Sequence, residues 1–180
     1  MIKQFLSILA LGLGVAAMLP AHSAEQVPVA SVASVELARY AGKWFEIASF
    51  PMFFQRNCVG DTTAQYALMP DARISVTNRC KTASGFDEAT GHASVVEGSA
   101  NSRLKVSFFW PFKSDYWVIG LDPDYRWAVV GNPNRKYLWL LSRTPQLPQP
   151  LLDAALASAS AQGFDLSQLR YTPQAALSGP

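Results

Sequence analysis

The chain has 180 residues, room for one domain with a real core. Hydrophobic residues make up 49% and charged residues only 16%, where roughly 25% charge is usual, so the apolar excess must be buried or must line something. Lys and Arg number 15 against 13 Asp and Glu, with no basic run, which argues against a nucleic-acid partner.

Residues 1–24 read as a secretory signal peptide. Lys3 supplies the positive start, Phe5 to Leu19 is apolar apart from small residues and Ser7, and Pro20 breaks the run. Ala21-His22-Ser23-Ala24 offers cleavage after Ser23 or after Ala24. A membrane anchor is the alternative, but the run is short of the about 20 residues a span needs. No cysteine follows it, so the expected product is an exported, periplasmic protein without a lipoprotein anchor. Removing the segment takes away Lys3 and leaves a nearly neutral chain.

Residues 25–33 read as a linker, 34–173 as the barrel domain and 174–180 as a tail. Ser34 is placed to cap a short helix, Val35 to Tyr40, ended by Gly42. Strand patterns follow in order: Trp44 to Phe50, Val59 to Leu68 (with Thr62, Ala64 and Tyr66 on one face), Ile74 to Cys80, and a weaker Glu88 to Val96. Then come Leu104 to Phe108, Tyr116 to Leu121, Trp127 to Val130, and Tyr137 to Leu141. Turn chemistry separates them, as in Met69-Pro70-Asp71-Ala72 and Asn132-Pro133-Asn134. About eight strands joined by tight turns, with no crossover helix, imply an all-β fold: an eight-stranded antiparallel up-and-down barrel. Pro148 and Pro150 open a last helix with Leu152, Ala155, Leu156 and Ala159 on one stripe, packed outside the barrel. Phe164, Leu166 and Leu169 then have the character to cover a sheet edge.

Cys58 and Cys80, in an exported chain, read as one disulfide worth about 3 kcal/mol. A catalytic thiol or a metal site competes, but His92 is the sole histidine outside the signal segment and neither a metal nor a cofactor is called for. An eight-stranded barrel either fills with side chains or holds one small ligand. Strand alternation offers Ile74, Val76, Val106 and Phe108, with Tyr116 and Val118, as one lining; sequence leaves the inward parity open. Asn78 and Tyr116 are candidates to hydrogen-bond a head group from inside, and Arg56 and Lys113 to meet a phosphate or carboxylate at loop tips. Phe53-Phe54 and Phe109-Trp110-Pro111-Phe112 put aromatics where hairpin tips are usually polar. Three roles stay open for them: the mouth of a pocket, a homodimer face, or a membrane-touching lip.

Leu37-Ala38-Arg39-Tyr40-Ala41-Gly42-Lys43-Trp44-Phe45-Glu46-Ile47-Ala48 resembles the first signature of the lipocalins, a Gly-x-Trp after a short helix. Leu121 to Ala128 resembles their second signature, and Tyr137 to Pro145 the third, with its single Arg143. Lys105 to Phe112 and the Arg143-Thr144-Pro145 ending are most similar to the bacterial lipocalin branch, which stands close to apolipoprotein D. The resemblance implies that Gly42, Trp44 and Arg143 are fold residues, with Arg143 across Trp44. It also implies a pocket for a fatty acid or lysophospholipid, in the service of membrane maintenance and without catalysis. Bacterial members often carry a lipid-modified cysteine at the mature N-terminus, and its lack here puts outer-membrane anchoring in doubt. Two alternatives remain: a lipid-isomerising enzyme using Cys58 or Cys80 as a free thiol, and a solidly packed barrel acting as a protein-interaction module.

Overall fold

The computed structural model describes residues 27–175; the expected signal peptide and residues 176–180 lie outside that range. Eight antiparallel strands follow one another: β1 (Gly42–Ser49), β2 (Gly60–Leu68), β3 (Ile74–Thr82), β4 (Gly85–Val95), β5 (Arg103–Ser107), β6 (Ser114–Leu121), β7 (Trp127–Gly131) and β8 (Leu138–Ser142). Each pairs with the next, and β1 pairs with both β2 and β8, so the sheet closes into a barrel. Closure removes the free edges that an open meander would expose. A one-turn helix, α1 (Leu37–Tyr40), precedes β1, and a longer one, α2 (Gln149–Ser160), follows β8.

Alternation sorts the apolar residues into two cores. The inner one draws on every strand, from Trp44, Tyr66 and Val76 to Leu104, Val130 and Leu141. The outer one joins Ile47, Ile119, Val129 and Leu140 to Ala155 and Ala159 of α2, so α2 packs outside as its stripe demands. Gly120 permits that approach: a Cβ there would fall 2.3 Å from Ser158 Oγ.

The up-and-down path gives the barrel two unlike ends. The base holds α1, the start of β1 and the turns 69–73, 96–102 and 122–126; the mouth holds the loops 50–59, 83–84, 108–113 and 132–137. The base is closed by Trp44, which is fully buried, with its Nε1 donating to Tyr40 O at 2.8 Å. The Arg143 guanidinium lies 3.8 Å from the Trp44 ring centroid and donates to Lys43 O at 3.0 Å and Tyr40 O at 3.2 Å, and also to Arg39 O. Such a stacked, partly desolvated cation is worth about 2 kcal/mol. Gly42 is required beneath it, since its φ of +98° disfavours other residues and a Cβ would press to 3.3 Å from Arg143 Nη1.

Several local expectations change. Ser34 does not cap α1: Glu36 occupies the cap position and makes no side-chain cap bond. The fourth strand, weak by pattern, is the longest, because its exposed polar outer positions pair fully along β3. The stretch read as a linker is laid against the barrel, with Val29 buried in the outer core and Val32 N–H bonded to Val118 O at 2.8 Å. Phe164 packs into the outer core, and the edge is met instead by a ninth strand, β9 (Arg170–Tyr171). β2 leaves β1 after the Phe45–Thr63 pair, and β9 takes its place beside Ala48 and Ser49.

Glu46 fastens this last segment. Its buried carboxylate accepts from Thr172 Oγ1, from Gln55 Nε2 at 2.9 Å and from Ser49 Oγ at 3.3 Å, while Gln174 Nε2 donates to Glu46 O at 2.8 Å and Thr62 O at 2.9 Å. Gln174, read as the start of a tail, is therefore part of the wall. Burial outweighs these hydrogen bonds and pushes the Glu46 pKa up. The folded chain then holds a proton at pH values where the unfolded chain has released it. The stability tied to this group is thus full below the ordinary carboxylate range and is lost as pH rises through the folded value. Urea unfolding across that range is expected to show a fall in stability with rising pH that Glu46→Gln flattens. Separately, Trp44→Ala is expected to lower the unfolding free energy by about 3–5 kcal/mol. A variant of unchanged urea midpoint would refute the role of Trp44 as plug.

Candidate functional site

The inner face of the barrel fixes the parity that sequence left open. Ile74, Val76, Val106 and Val118 are buried in the inner core, and Phe108 and Tyr116 pack against it partly buried. Six of the seven candidate lining residues thus share the lumen. Asn78 follows the same parity on β3, opposite Ala64 on β2 and Ala89 on β4, and is half-buried. Its amide makes no hydrogen bond with the described residues. Phe108 lies over Gly91 of β4, where a Cβ would meet its ring at 2.8 Å. That glycine makes room for an aromatic wall near the mouth.

The polar feature of the lumen is a chain of three phenols. Tyr116 on β6 places its hydroxyl 2.7 Å from that of Tyr40, delivered from below by α1, and 2.9 Å from that of Tyr66 on β2. Their rings pack edge to face, with Tyr40–Tyr66 centroids 5.5 Å apart and Tyr66–Tyr116 centroids 6.1 Å apart. Burial raises all three pKa values, with Tyr66 pushed up to about 12 and Tyr40 and Tyr116 raised well above the ordinary phenol, so the groups stay neutral at physiological pH. Three O–H donors make two mutual bonds, which leaves one hydrogen free to reach an acceptor. Sequence reasoning singled out Tyr116 alone. Tyr66 was legible from the face it shares with Ala64. Tyr40 was not, because nothing local says that the residue ending α1 turns into the barrel.

At the mouth, Cys58 of the β1–β2 loop is joined to Cys80 of β3, with their Cα atoms 5.6 Å apart. The bond pins the loop that carries Phe53 and Phe54. Beside it, where β1 and β2 part, lies a cleft of about 500 Å³ lined by Phe50, Met52, Arg56 and Thr62, with Arg170 and Pro173 of the last segment. Arg56 and Lys113 are exposed and lie in mouth loops, so the structure does not bring them to the phenols. No group of three or more His, Cys, Asp or Glu side chains placed to hold a metal occurs among the described residues, and His92 is exposed on β4.

Comparison with known proteins agrees with this geometry. The family profile described as Lipocalin-like domain matches residues 35–174. The chain is 42% identical over 149 residues to the outer membrane lipoprotein Blc of Vibrio cholerae, covering 81% of this chain and 86% of that protein. It is 39% identical over 158 residues to temperature-induced lipocalin-1 of Arabidopsis thaliana, covering 79% and 81% of the two chains. Apolipoprotein D of Macaca fascicularis is 30% identical over 145 residues, 76% of this chain and 75% of that one. Among solved structures, insecticyanin from Manduca sexta superposes with a TM-score of 0.69 at 20% identity, over 84% of this chain and 87% of that one, which speaks to the fold. With a closed barrel, a Trp44–Arg143 base and these relatives, the chain belongs to the lipocalin family, on the branch shared by bacterial Blc and apolipoprotein D.

Proposed function

We propose that this chain is a carrier for a single-chain lipid, a fatty acid or lysophospholipid, acting in the cell envelope after export in support of membrane maintenance. Membership of the family supports binding of a small hydrophobic ligand. The observation that carries the finer reading is the spare hydrogen of the Tyr40–Tyr116–Tyr66 chain, set among mostly apolar inner side chains. A carboxyl or ester oxygen of the ligand is the acceptor that this donor suits. The Asn78 amide, on the strand next to the one that carries Tyr66, offers a second polar contact. Ile74, Val76, Val106, Phe108 and Val118 supply the apolar lining, which gains about 0.8 kcal/mol for each methylene it removes from water. Both cysteines are spent in the disulfide, so neither is available as the thiolate that a lipid isomerase of this kind would use.

The direct test is native mass spectrometry of protein purified from its own cell envelope, followed by lipid extraction. A stoichiometric fatty acid or lysophospholipid is expected. A chain that arrives empty and binds no acyl ligand from a panel would shift the reading to a packed barrel with a protein partner. In titrations with a fluorescent fatty acid, replacing all three phenols (Tyr40→Phe, Tyr66→Phe, Tyr116→Phe) is expected to weaken binding by about 1.5–3 kcal/mol, the worth of a hydrogen bond to a charged group. The methyl ester of the same acid should respond less to the substitutions. Equal responses would remove the head group from the phenols.

A further inference from the structure

The rim of the barrel carries apolar surface that the fold does not use. In the β5–β6 loop Trp110 is 91% exposed and Phe109 and Phe112 are each 77% exposed. In the β1–β2 loop Phe53 and Phe54, on a single 3-10 turn, are 74% and 55% exposed. Both loops stand at the mouth, and large aromatics left bare together mark a contact surface rather than a packing accident.

Charge says what that surface meets. The four mouth loops contain no Asp or Glu, yet they carry Arg56, Lys113, Arg135 and Lys136. Arg135 is engaged with the carbonyls of Val27 and Gln162. Arg56, Lys113 and Lys136 are exposed and make no ion pair among the described residues. Of the carboxylates closest along the chain, Asp61 accepts from Ala175 N–H, Asp115 pairs with Lys105 at 2.7 Å, and Asp87 and Glu88 are exposed in the first residues of β4, below the loops themselves. The base differs in carrying acids in its own loops, which form the pairs Glu36–Arg39, Asp71–Arg73 and Asp122–Arg126. A second copy docking rim to rim would set like charges against one another. A bilayer with anionic head groups offers the complementary sign and takes Trp and Phe at its interface.

We propose that the chain docks mouth-first on anionic phospholipid bilayers, with Trp110, Phe112, Phe53 and Phe54 entering the interface and Arg56, Lys113 and Lys136 lying against lipid phosphates. The docking goes beyond the carrier reading and does not require the lumen to hold a lipid. It is tested by co-sedimentation with phosphatidylcholine vesicles made with and without phosphatidylglycerol. The expected result is binding that needs phosphatidylglycerol, weakens at high salt, and falls by about tenfold or more in the double variant Trp110→Ser, Phe112→Ser. The double variant Lys113→Glu, Lys136→Glu should lose the preference for anionic vesicles. All four positions are exposed, and unchanged melting temperatures would show the fold intact. Absence of vesicle binding, or binding indifferent to the aromatic pair, would overturn the proposal. So would a vesicle-free dimer that the aromatic variant dissociates, which would assign the rim to a second copy. Fluorescent fatty-acid titration of the same variants separates the two readings. Docking without acyl binding would sink the carrier and leave the docking surface, and acyl binding without docking would do the reverse.

Discussion

The structure depends first on how the barrel is shut at one end. A closed sheet of eight strands is a tube, and a tube becomes a cup only when something spans its base. Here Trp44 fills the opening and Arg143 covers Trp44, with the guanidinium bonded to the carbonyls of Arg39, Tyr40 and Lys43. Those carbonyls belong to the end of α1 and the start of β1, so one side chain from the end of β8 fixes the helix, the first strand and the plug together. The same arrangement delivers Tyr40 into the lumen, since Trp44 Nε1 holds the Tyr40 carbonyl while its ring turns upward to Tyr116. The phenol chain inside the barrel is thus a by-product of the closure.

The two ends are built with different chemistry. At the base, Arg143 finds carbonyls and an indole, and Arg39, Arg73 and Arg126 find carboxylates. At the mouth, cations and aromatics face outward. The inner face is mostly apolar and shut at the base by Trp44 and Arg143, so the end that bears the exposed cations Arg56, Lys113 and Lys136 is the end opposite the plug.

Sequence made the barrel legible because its evidence is periodic. Ile74, Val76 and Asn78 alternate with Ser75, Thr77 and Arg79, and the turns between strands are written in Pro, Asp, Asn and Gly. What periodicity could not give was direction. A single slip exchanges lumen and surface, and only the closed sheet, with one core drawn from every strand, decides it. Features resting on long-range partners were also out of reach. β9 is two residues long and exists because β2 departs from β1 after Phe45, beside a shift in β1 register between Glu46 and Ala48. Residues 27–33 have no pattern of their own, yet they are held by Val118 and by the outer core. The cysteine pair, by contrast, was readable from count alone, because two cysteines in an exported chain have one intramolecular pairing to make.

The mouth loop shows how these levels meet. Residues 50–59 carry the bare Phe53 and Phe54, and turning those rings inward would remove apolar surface from water. Two restraints oppose this. Cys58 is tied covalently to β3, and Gln55 Nε2 reaches the buried Glu46 carboxylate, which is also the anchor of Thr172. Both restraints act at or after the end of the 3-10 turn Phe53–Gln55, its approach is held by Phe50 N–H bonding Leu138 O at 3.0 Å, and Phe54 rests against Tyr137 of the neighbouring loop at 6.1 Å between centroids. Holding apolar rings in water costs free energy, and a chain that spends a disulfide and a buried carboxylate near that spot does so against the hydrophobic effect. Such an investment is understandable if the rings are meant to be met from outside, and it ties the C-terminal strand, which packing alone barely requires, to the shape of the mouth.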